Sequence, residues 1–146
     1  MEDINAVFFG LQNLLTSAAN IAKCLWGQRG PKQVALASAR QPLRDSIGVT
    51  DDSPLKQVWM RNHFEHYDER IDEWQVKSKN HNYNDLELGT AANSPFDEID
   101  MFRSYDPKTG NLGFWGQSFD TRAVIAEIQR ILPKLKEEAS KPHWKS

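Results

Sequence analysis

Apolar positions recur along the first part of the chain with the spacing of a helix. Ile4, Phe8, Leu11, Leu15, Ala18, Ala22 and Leu25 follow one another at intervals of four and three, the seam of a helix packed against other helices. Val7, Leu14 and Ile21 widen the stripe. Gly27 and Gly30-Pro31 end it, because glycine frees the backbone and proline cannot extend the hydrogen-bond ladder. A second helical stretch runs over about 31–47. Pro42 removes a backbone donor inside it, which predicts a kink or a split near Arg40. Asp51-Asp52-Ser53-Pro54 then opens a third helix over about 54–79, with Ser53 as N-cap. Its seam is Met60, Phe64, Tyr67, Ile71 and Trp74, again four, three, four and three apart.

The helical period disappears from 80 to 119. Residues 99–105 approach the alternation of a strand, Asp106-Pro107-Lys108-Thr109-Gly110 reads as a turn, and Asn111 to Trp115 returns. This predicts a two-stranded hairpin over about 99–116. A lone hairpin is marginal in water, so Phe102, Phe114 and Trp115 are expected to pack onto helices. Ser118 or Asp120 caps a last helix carrying Val124, Ile125, Ile128, Ile131, Leu132 and Leu135, bent or shortened by Pro133. A polar, flexible tail follows at 140–146, with docking of Trp144 as its one structural feature. The expected fold class is all-α: a four-helix bundle over 1–139, with a small β-hairpin inserted before the last helix.

Composition narrows the function classes. Of 146 residues 39% are hydrophobic and 10% aromatic, enough to bury a core and to exclude wholesale disorder. Lys and Arg total 18 against 20 Asp and Glu, a net charge of -2. That excludes a strongly basic protein that coats nucleic acid, while leaving room for a local basic pocket. The single Cys24 excludes an internal disulfide and a Cys-rich zinc site, and it reads as a small buried hydrophobe in a reducing cytoplasm. The acidic start Met1-Glu2-Asp3 lacks the positive charge of a secretory leader. Asn5, Gln12, Asn13, Asn20 and Lys23 interrupt the first apolar stretch. A cytoplasmic chain with no membrane partner is expected.

Candidate chemistry is concentrated in the third helix, between Trp59 and Asp72. At about 100° per residue, two polar rows flank its seam. Trp59, His63, His66 and Arg70 form one; Arg61, Glu65, Asp68 and Asp72 form the other, with Arg61 in reach of Glu65 or Asp68. Such rows are most often solvated faces or salt links between helices. No carboxylate or thiol joins His63 and His66 on their stripe, so neither a metal nor another cofactor is expected.

Arg61-Asn62-His63-Phe64-Glu65-His66 resembles the Arg-Asn-x-x-x-His motif of the HEPN superfamily, small helical bundles that carry it on a long helix. The resemblance implies a metal-independent ribonuclease or RNA-binding protein acting as a homodimer, with two motifs meeting across the pair. Arg61, Asn62 and His66 would then be the catalytic residues, supported by His63, Glu65, Asp68 and Arg70. A histidine near neutral pKa moves the proton of a ribose hydroxyl, and a guanidinium forks onto phosphate oxygens. Arg61 and His66 lie five apart, about 140° around an ideal helix, so a shared pocket calls for a second copy or a distorted helix. The alternative reading is a non-catalytic protein-protein interaction module, its partner an antitoxin or another protein. It rests on the acidic Glu65, Asp68, Glu69 and Asp72 and on the net charge.

Overall fold

The computed structural model describes residues 3–27, 34–89 and 94–142. The Gly30-Pro31 break, the start of the second helix and Trp144 lie outside these residues. Among them are six α-helices and a four-stranded mixed sheet, which overturns the all-α four-helix bundle. The polar stretch before the last helix holds a sheet rather than a hairpin appendage, and the bundle on which the HEPN resemblance leaned is not the fold. The chain forms two compact units, 1–16 with 58–122 and 17–57 with 123–146. Helix α1, Ile4–Trp26, contributes its first half to one and its second half to the other.

The helix expected over 54–79 is divided. Pro54–Lys56 is a separate 3-10 turn in the second unit, whereas α4, Trp59–Glu65, and α5, Tyr67–Lys77, belong to the first. The break falls on His66, with φ −103° and ψ 38°. The ladder bridges it locally, since His66 N bonds Asn62 O at 3.0 Å and Arg70 N bonds His66 O at 3.1 Å. The seam survives for that reason, with Met60 and Phe64 buried and Tyr67, Ile71 and Trp74 half-buried.

The expected hairpin forms the centre of the sheet. Strands β2 (Arg103–Asp106) and β3 (Asn111–Phe114) pair antiparallel. The turn between them is held by Asp106, whose carboxylate accepts from Lys108 N at 3.0 Å and Thr109 Oγ1 at 2.9 Å. Two strands join it at the edges: β1 (Glu87–Leu88), parallel to β2, and β4 (Gln117–Asp120), antiparallel to β3. The β3–β4 connection is Trp115-Gly116, with φ of 50° and 75°. Positive φ at both positions is the two-residue turn whose twist matches that of the strands.

Phe102, Leu112, Phe114 and Phe119 are buried, each stabilising by about 1.5–3 kcal/mol relative to exposure. They meet the helices through a ring cluster in which Tyr67 lies 5.4 Å from Phe102 and Phe64 lies 6.4 Å from Phe114. Arg103 lies over the Tyr67 ring at 4.5 Å and forks onto Asp85, with Nε 2.9 Å from Oδ1.

The second unit contains α2 (Val34–Ala39), α3 (Gln41–Ile47) and most of α6 (Thr121–Ala139), which runs on with Pro133 inside it. The expected split at Arg40 is present, with Pro42 in the first turn of α3. Buried Arg44 donates to the Ala37 and Leu25 carbonyls, and so satisfies acceptors that helix ends leave open. Trp26 Nε1 donates to Asp51 at 2.9 Å, and Arg130 ties Glu127 to the Gly48 carbonyl. Cys24 is exposed rather than buried, correcting its reading as a core residue. Among the described residues no helix is long and apolar enough to cross a membrane.

Candidate functional site

The pairing of β3 with β4 sets Phe114 directly opposite Gln117. Residues opposed across a ladder share a face of the sheet, so a buried ring and a carboxamide stand side by side beneath α4. His63 meets both. Its imidazole stacks on Phe114, with centroids 4.6 Å apart, and its Nε2 lies 2.8 Å from Gln117 Oε1. The other nitrogen, Nδ1, accepts from Arg70 Nε at 3.0 Å. Trp59, one turn earlier on α4, meets His63 edge-on at 6.1 Å.

These contacts fix the tautomer. Arginine can only donate, so Nδ1 is bare and Nε2 carries the proton that goes to Gln117. Burial pushes the His63 pKa down, the Gln117 hydrogen bond opposes it, the Arg70 charge lowers it further and Glu73 works against both. The net direction is down, and the neutral ring is favoured. Arg70 is itself placed by Glu73, whose carboxylate lies 3.7 Å from Nη1 and also pairs with Lys77.

Trp59, Asn62, His63, Arg70, Gln117 and Ser118 line an open cleft of about 630 Å³. Three of the residues singled out from the sequence, Asn62, His63 and Arg70, are therefore brought together. Arg61 and His66 do not line this cleft. Arg61 Nε lies 3.5 Å from Glu65, and His66 Nδ1 lies 3.2 Å from Glu69 on the exposed side of α5. Glu65 serves as the partner of Arg61, and Asp68 is exposed. The break at His66 supplies the distorted helix that a shared pocket would need, but each of the two side chains is engaged by its own glutamate.

Two cleft residues were not foreseen. Ser118 is one of the two residues expected to cap the last helix and Gln117 precedes it, and a neutral amide and a hydroxyl carry no chemical signature on their own. Trp59, on the same row of the helix as His63 and Arg70, is half-buried at the cleft wall. Among the described residues no three His, Cys, Asp or Glu side chains gather as metal ligands would. No family model matches the chain, and no curated protein and no solved structure is significantly similar to it.

Proposed function

We propose that the chain is a non-catalytic recognition module that holds a polar group of a partner molecule in the cleft between α4, α5 and β4. One observation carries this reading: both nitrogens of His63 are already engaged, Nδ1 by Arg70 and Nε2 by Gln117. A general base needs a free lone pair within reach of the proton it takes. His63 has none, because a guanidinium occupies it. Its remaining polar function is to orient its neighbours.

A metal-independent ribonuclease built on Arg61, Asn62 and His66 would require Arg61 to leave Glu65 and His66 to leave Glu69 before both met one phosphate, with a homodimer partner supplying the second motif. The acidic row on α5 opposes a phosphodiester chain as well. The test is an incubation with single-stranded RNA in the presence of a chelator, comparing the parent with His66→Ala. Neither protein is expected to cleave. Cleavage by the parent that disappears in His66→Ala overturns the reading.

A further inference from the structure

We infer that the cleft binds a single carboxylate, the anionic end of a ligand. This rests on the recognition reading above and names the group recognised. The direction of the hydrogen bonds leads to it. Arg70 Nε donates to His63 Nδ1, and His63 Nε2 donates to Gln117 Oε1, which leaves the Gln117 Nε2 amide as a donor. Arg61 Nη2 likewise reaches Asn62 Oδ1 at 3.5 Å, and Asn62 Nδ2 is left as a donor. Two arginines thus set both carboxamides of the cleft with the same polarity.

Among the described residues neither of these amide groups has a hydrogen-bond acceptor, and the Ser118 hydroxyl and Arg70 Nη2 also have none. Donors gathered at one cleft favour a ligand rich in lone pairs, and an oxyanion offers the most of them for its size.

Charge selects the kind of oxyanion. Arg70 commits Nε to His63, and its Nη1 lies 3.7 Å from Glu73. It cannot present a full fork, and its charge is already shared, so a monoanion suits it better than a doubly charged phosphate. Glu73, beside Arg70, adds a negative charge near the cleft that a polyanionic backbone would meet more strongly than a monoanion. Trp59 supplies an apolar wall for the stem that carries the carboxylate.

The test is a titration of the 15N-labelled chain, following the side-chain amide signals of Asn62 and Gln117. The probes are N-acetylglycine, its uncharged amide and inorganic phosphate, all at fixed ionic strength. N-acetylglycine is expected to shift both amides saturably, with a midpoint on the order of millimolar for so small a ligand, and its amide to shift neither. Gln117→Glu keeps an acceptor for His63 but places a negative charge in the cleft, and should weaken binding by roughly tenfold or more. No saturation overturns the inference, as does an equal response to the amide or tighter binding of phosphate. The His63 nitrogens are read in the same samples. If they keep a bare Nδ1 while no probe binds, only the carboxylate falls. If the proton sits on Nδ1, the recognition reading falls too.

Discussion

The imidazole of His63 lies flat on the phenyl ring of Phe114, with planes 3° from parallel and centroids 4.6 Å apart. An aromatic pair of this kind adds about 0.5–1.5 kcal/mol beyond its buried area. More important for the site, it fixes the plane in which both nitrogens work. Arg70 from α5 and Gln117 from β4 then each meet one nitrogen edge, and a helix and a strand far apart in sequence are joined through one neutral ring.

That ring makes stability depend on pH. Its pKa is lowered from the ordinary 6.5, chiefly by burial, so the unfolded chain takes up this proton first as pH falls. The contribution of His63 is complete above about pH 6.5 and declines below it. Urea unfolding of the parent and His63→Gln at pH 7.5 and pH 5 should show a smaller loss at pH 5 in the variant. An identical loss in both would place the pH dependence elsewhere.

A second pH-dependent contact joins Asp85 and Arg103. Burial raises the Asp85 pKa, but the hydrogen bonds and charge of Arg103 outweigh it, and the carboxyl is held below its ordinary value of 3.8. The pair stabilises the fold above about pH 4 and is lost as pH falls through the lowered value. Arg103→Met leaves a carboxylate partly buried without its cation and strips the charge from the Tyr67 ring, at a cost of about 3 kcal/mol. Arg103→Lys restores charge but not the fork, and should cost about 1–2 kcal/mol. Equal costs in urea unfolding would mean that the fork contributes nothing.

Gly113 sits at the centre of β3 opposite Ser104. A Cβ there would fall within contact distance of the buried Ser104 Oγ. Gly113→Ala is expected to cost about 1–3 kcal/mol through overpacking. In a Ser104→Ala background most of that cost should vanish, since the obstructing oxygen is gone. A thermal melt showing additive effects would refute this explanation of the glycine.

Much of the framework is legible in the amino-acid pattern. The three-four spacing of Phe8, Leu11, Leu15, Ala18, Ala22 and Leu25 marks the buried face of α1, and Pro42 marks the division of α2 from α3. The β2–β3 hairpin follows from its turn residues. Strand β4 does not, because Gln117-Ser118-Phe119-Asp120 holds one apolar residue and passes into α6 with no glycine or proline between them. Two residues of β1 are too few for any period. The break at His66 is equally silent, since the seam from Met60 to Trp74 keeps its spacing across it. The row Trp59, His63, Arg70 is visible on the helix, yet its meaning depends on β4. Without that strand Gln117 has no place, and His63 and His66 look alike.

The state of the His63 nitrogens tests the central claim most directly. In long-range 1H–15N spectra at pH 7, the proton is expected on Nε2, with a bare Nδ1 whose 15N resonance changes on Arg70→Met while the fold is retained. A proton on Nδ1, or averaging between the two nitrogens that is indifferent to Arg70, would contradict it.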